Sequence, residues 1–161
     1  MTHFFLTMKK LSNLLAALVF VSLVIFIGCS SDSGGGGDVD PRQTQADLLN
    51  GTWTATANQV LYEGSPSTDG DWSGFTLTIT NPTVNGGGYQ AAGVPAGFED
   101  VWPSQGNWTF SNDAGTAISR DGEVTVSLVV SASTLELTFD IADTSGRTAG
   151  IVGDWKFTMG K

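Results

Sequence analysis

From Thr52 onward the chain alternates apolar and polar residues with a period of two. Leu135, Leu137, Phe139 and Ile141 fall on one face of such a run, against Glu136, Thr138 and Asp140 on the other. Phe75, Leu77 and Ile79 do the same against Thr76, Thr78 and Thr80. Successive side chains of a strand point to opposite faces, so this pattern buries one face and wets the other. Val124, Val126, Leu128 and Val130 make a third apolar face, interrupted by Val129. Only residues 45–51 carry helical spacing, and they read as one turn stopped by Gly51. The pattern predicts an all-β domain over 45–161, with strands near 52–62, 74–80, 88–92, 106–111, 116–120, 123–131, 134–142 and 150–159.

Turns as short as Arg120-Asp121-Gly122-Glu123 and Ser131-Ala132-Ser133 allow antiparallel hairpins and leave no room for crossover helices. About eight strands joined in this way fit an antiparallel up-and-down β-barrel or, alternatively, a two-sheet β-sandwich. Three Gly-x-Trp tripeptides favour the barrel: Gly51-Thr52-Trp53, Gly106-Asn107-Trp108 and Gly153-Asp154-Trp155. Glycine permits close backbone approach, and a Trp two residues on can plug the end of a small barrel. Two of the three lie on the first and last strands, which become neighbours if the barrel closes. Trp53, Trp108, Phe110, Trp155 and Phe157 are therefore expected to be structural core residues. An immunoglobulin-like sandwich needs a Trp on its third strand facing a disulfide, and this chain has neither.

Leu48-Leu49-Asn50-Gly51-Thr52-Trp53, a helical turn running into Gly-x-Trp on strand one, resembles the lipocalin or calycin entry motif. The mid-chain Trp-x-Phe strand, the Arg-Asp-Gly hairpin and the terminal Gly-x-Trp-x-Phe strand resemble the small lipocalin-like domains of Bacteroidota lipoproteins. The resemblance covers residues 48–161 and implies a lipocalin-like barrel, shorter than a true lipocalin and lacking its C-terminal helix.

The amino-terminal segment has a different character. Lys9 and Lys10 precede the apolar run from Leu14 to Ile27, which is too short to span a hydrocarbon core of ~30 Å comfortably and lacks a basic stop-transfer cluster. Residues 1–28 are expected to be a signal peptide, with Met8 a more usual start for it than Met1. Phe26-Ile27-Gly28-Cys29 resembles the lipobox of bacterial lipoproteins, with Phe26 in place of the usual Leu. That resemblance implies cleavage before Cys29 and lipidation of its thiol, an outer-membrane location on the periplasmic or cell-surface face, and membrane attachment through acyl chains. Residues 29–44, rich in Gly, Ser and Asp, are expected to be a flexible tether; its early serines and acids resemble the export tags of surface lipoproteins in the Bacteroidota.

Beyond Gly28, five basic residues face 16 acidic ones, so the expected mature charge is five minus 16, or −11. Such a surface repels phosphate backbones, and nucleic acid is excluded as a partner. The single Cys is Cys29 and the single His is His3. The domain thus has no disulfide, no thiol nucleophile, and no imidazole for a catalytic triad or a His-ligated zinc. Paired carboxylates, or a hydroxyl with one of two remaining lysines, are the residual catalytic options. The expectation is a protein that is not an enzyme, with no catalytic residues, no cofactor and no metal.

Residues 86–106 form the least regular stretch and hold Tyr89, Phe98 and Trp102 among glycines and prolines. Long irregular loops carry function more often than tight turns do. These three aromatics are the candidate ligand-binding residues, able to stack on a sugar ring or cap a barrel mouth, and the alternative is a lid of aromatics packed on the barrel end; Trp102 is expected to contribute little to stability. Asp69 and Asp71 sit in a Gly-rich loop loosely like a calcium turn, but no twelve-residue loop with a distal Glu is present, and a solvated turn is the better reading. Glu99 and Asp100 are adjacent, and on a strand neighbours point to opposite faces, which argues against a catalytic pair. The functional expectation is a lipid-anchored, non-enzymatic barrel that binds a small apolar ligand. The alternative is a glycan- or protein-binding accessory module using the 86–106 loop. The size of the internal cavity separates the two.

Overall fold

A computed structural model describes residues 39–143 and 151–161, so Cys29, the signal segment and most of the expected tether lie outside the described residues. Helix α1 spans Pro41–Leu49, and nine strands follow: β1 Gly51–Tyr62, β2 Ser65–Pro66, β3 Thr76–Thr83, β4 Gly86–Ala92, β5 Gln105–Phe110, β6 Ala117–Arg120, β7 Val124–Val130, β8 Thr134–Ile141 and β9 Gly153–Gly160. Apart from the two-residue β2, these are the eight expected strands with ends moved by a few residues. Each pairs antiparallel with the next barrel strand, and β1 also pairs with β9 through Ala55↔Met159, Val60↔Phe157 and Tyr62↔Trp155. The sheet closes on itself. The molecule is an eight-stranded antiparallel β-barrel, consistent with a lipocalin-like one, and the two-sheet alternative is not adopted.

Alternation sets what fills it. Phe75, Leu77 and Ile79, with Leu135, Leu137, Phe139 and Ile141, are buried as expected. Val126 and Leu128 are buried and Val124 and Val130 half-buried, while the out-of-phase Val129 is 69% exposed. Trp53, Trp108, Trp155 and Phe157 are core residues, and Phe110 is half-buried against them.

The first and last Gly-x-Trp tripeptides build one local structure. Gly51 and Gly153 share φ near +130°, at 129° and 130°, which a side chain would disfavour. In each, the Trp Nε1 donates to the carbonyl four residues back, Leu49 for Trp53 and Ile151 for Trp155, both at 2.9 Å. The middle tripeptide does not copy this, and Trp108 Nε1 has no hydrogen-bond partner.

The helix is longer than the expected single turn and begins inside the stretch read as tether. Asp40 caps it, accepting from Arg42 N at 2.9 Å, and Pro41 occupies the first turn, where its missing N–H costs nothing. Arg42 also grips the cap through its guanidinium, at 2.7 Å from Asp40 Oδ2, and this hydrogen bonding holds the Asp40 carboxyl below its ordinary range. Ala46 and Leu49 are the buried face that seats α1 on the barrel.

Candidate functional site at the loop end of the barrel

The alternating strand directions place α1 and the 84–85, 111–116 and 131–133 turns at one end of the barrel. The 63–75, 93–104 and 121–123 connections lie at the other, the loop end. Within 86–106 the expected strand near 88–92 is β4, starting two residues earlier at Gly86, and Gln105 begins β5. What remains, 93–104, turns inward. Trp102 is only 2% exposed, Val101 is fully buried, Tyr89 is 5% exposed on the inner face of β4, and Phe98 is half-buried. The three aromatics pack as a lid on the barrel end, and the burial of Trp102 runs against the expectation that it contributes little to stability. Trp102 lies 5.8 Å from Phe75, 5.6 Å from Phe139 and 5.7 Å from Phe157, centroid to centroid. The reason is area: a Trp buries more apolar surface than any other side chain, and a barrel mouth lined by rings offers it a seat.

Trp72, from the 67–75 loop, enters the same cluster and lies 5.1 Å from Phe157 and 5.7 Å from both Phe98 and Trp155. With both loops folded in, the interior space bounded by Leu49, Leu77, Tyr89, Trp102, Trp108 and Arg120 is a cavity of about 10 Å³. A single water needs about that much, and a lipid or a drug-sized ligand needs several hundred.

Arg120 is a buried charged residue at this end of the barrel, and it is not among the candidates drawn from the sequence. It is 3% exposed, a charged side chain inside an apolar barrel. Its Nη1 donates to Val101 O at 2.8 Å, and the guanidinium lies 4.6 Å from the Trp102 ring and 5.0 Å from that of Phe139. A cation over an aromatic face is attracted by the ring quadrupole, so Arg120 ties the 93–104 loop to β6. The signal was present: Arg120 is two residues from the inward Ile118 and shares its face. Its neighbour Asp121, at φ +54° in the Asp-Gly turn, accepts from Tyr89 Oη at 2.7 Å and from Asn107 N at 2.8 Å. Burial, and then this hydrogen bond, raise the Tyr89 phenol above the ordinary tyrosine range. Gly106 makes the brace possible, because a Cβ there would come within 2.1 Å of Asp121 Oδ1 and 2.6 Å of Tyr89 Oη.

The acidic candidates are held by their own loops. Asp71 Oδ1 accepts from Ser73 N at 3.0 Å, and hydrogen bonding from Ser73 lowers its pKa. Glu99 Oε2 accepts from Gly97 N at 3.0 Å. Among the described residues no three His, Cys, Asp or Glu side chains gather where a metal could be held. A pocket of about 130 Å³ opens between β1 and the 67–73 loop, lined by Thr56, Asn58, Val60, Ser67, Asp71 and Ser73 together with Trp72. Comparison with protein-family models, with curated proteins and with solved structures finds no match to this chain.

Proposed function

We propose that this is a lipid-anchored, non-enzymatic barrel at the outer membrane that recognises a glycan or a protein with its outer surface, as an accessory module. The observation that carries this reading is the filled interior, a space of about 10 Å³ where a carrier keeps several hundred. Carriage of a small apolar ligand needs Trp102 and Val101 to leave the barrel, which exposes apolar surface at about 25 cal/mol per Å². The lipobox resemblance at Cys29 supports the anchor, and no helix among the described residues is long and apolar enough to cross a membrane. The α1 end continues toward Cys29 in sequence, which leaves the loop end as the recognition surface.

Two measurements test the proposal. Mass spectrometry of the membrane fraction is expected to find a chain that starts at Cys29 and carries acyl mass; a mature amino terminus at Met1 or Met8 overturns the anchor. An apolar fluorophore such as 1-anilinonaphthalene-8-sulfonate, titrated into the native protein, is expected to show no saturable uptake. Stoichiometric uptake overturns surface recognition and restores ligand carriage.

A further inference from the structure

β1 leaves both of its ladders near the loop end. Its pairing with β3 ends at Thr54, and its pairing with β9 breaks after Ala55 and resumes at Val60. Asn58, inside this gap, has φ +62°, in the left-handed region that costs an L-residue roughly 1–2 kcal/mol and that asparagine tolerates better than most. The 67–73 loop runs beside the gap, tied to β1 by Ser67 N donating to Val60 O at 2.9 Å, while Ser67 Oγ donates within the loop to Asp69 O at 3.0 Å. Between them lies the pocket of about 130 Å³. Its polar lining residues are Thr56, Asn58, Ser67, Asp71 and Ser73, and its apolar ones are Val60 and Trp72. Trp72 is 5% exposed, and its indole Nε1 has no hydrogen-bond partner.

We propose that this pocket binds one ring of a neutral sugar, an inference that rests on the surface-recognition reading and gives it a site. Hydroxyls and a primary amide both donate and accept, which matches a ring whose hydroxyls do the same, and the Asp71 carboxylate adds a strong acceptor. Its Ser73 hydrogen bond fixes its orientation before any ligand arrives. An apolar wall suits the C–H face of the ring. Among the described residues no Lys or Arg lines the pocket, and the described loops at this end carry Glu63, Asp69, Glu99 and Asp100, which disfavours uronic or phosphorylated sugars. At about 130 Å³ the pocket has room for a single ring at the end of a chain and not for a longer stretch of sugar.

The test titrates maltotriose, cellotriose and triacetylchitotriose separately into the ¹⁵N-labelled full chain in detergent micelles, followed by two-dimensional NMR. The expected result is a saturable shift, with at least one of the three, of the Asn58 side-chain amide, the Trp72 indole and the Ser73 backbone signals. Two variants that preserve the backbone are expected to weaken it at least about tenfold, or ~1.4 kcal/mol. Asn58→Gly suits the positive φ and removes the amide, while Asp71→Asn keeps an acceptor for Ser73 and removes the charge. Unchanged spectra with all three sugars, shifts that the variants leave intact, or an equal response to tetramethylammonium chloride overturns the inference. Saturable shifts elsewhere on the loop end overturn this site while leaving surface recognition in place. Uptake of the apolar fluorophore overturns the parent reading instead.

Discussion

Both mouths of the barrel are shut, by opposite means. At one end α1 lies across the opening and contributes two buried side chains, Ala46 and Leu49. Its polar groups are mostly served: Trp53 Nε1 has Leu49 O, and Lys161 Nζ donates to Leu48 O at 2.9 Å while sitting 4.2 Å from the Trp53 ring, and the Trp108 indole nitrogen is left without a partner. At the other end two irregular loops send in Trp72, Val101 and Trp102, with Phe98 half-buried beside them. There the indole nitrogens of Trp72 and Trp102 are buried without partners. An unsatisfied buried donor costs about 1–3 kcal/mol, so that end gives up hydrogen bonds for aromatic area. A helix can close a barrel with little of the core, whereas a loop does so only by becoming core. Recognition at the loop end then falls to what those loops leave facing outward.

The sharpest way to break this comparison is to remove the loop's anchor. Trp102→Ala is expected to cost about 3–5 kcal/mol, as much as Trp155→Ala on β9, by urea denaturation. A cost below about 1 kcal/mol makes the loop a surface element and returns Tyr89, Phe98 and Trp102 to candidacy as an exposed site. Arg120→Met comes next, at about 1.5–3 kcal/mol for a lost hydrogen bond from a charged group. Hydrogen exchange is expected to quicken at the Trp102 indole and stay unchanged in α1. Equal acceleration at both ends dissolves the distinction between them.

Tyr89 offers a smaller, pH-dependent test. Its folded pKa is raised above the ordinary value of 10.0, so its contribution is fully present below pH 10.0 and is lost as pH rises beyond it, where the unfolded chain ionises first. Tyr89→Phe is expected to flatten the fall of stability above pH 10.0; an unaltered alkaline limb places the loss elsewhere. The smallest effect belongs to the cap of α1. The Asp40 pKa is depressed from 3.8, so the cap holds above that value and is lost as pH falls through the lower folded pKa. Asp40→Ala is expected to reduce the far-ultraviolet helical signal while the near-ultraviolet signal of the core aromatics stays the same.

Much of the barrel is legible residue by residue. Period-two runs such as Leu135–Ile141 state which face goes inward because strand geometry makes that alternation mechanical. The first and last Gly-x-Trp tripeptides marked the strands that close the sheet, Trp155 now facing Tyr62 across the β1–β9 ladder. Asp40-Pro41 is a helix start written locally in the sequence, an N-cap followed by a first-turn proline, inside the stretch whose composition reads as tether. The 93–104 loop is different, because nothing local distinguishes an aromatic offered to solvent from one folded into a mouth.

What the sequence by itself determined is thus the strand set, the inward faces and the closing pair, all of which follow from backbone geometry and near neighbours. Only the tertiary structure decided that the loop aromatics pack into the barrel mouth. Whether Trp102 points in depends on Phe75, Phe139 and Phe157, which lie from 27 to 55 residues away in the chain, and on Arg120 meeting Val101 O. Burial is a sum over such distant partners, and that sum exists only once the sheet has closed.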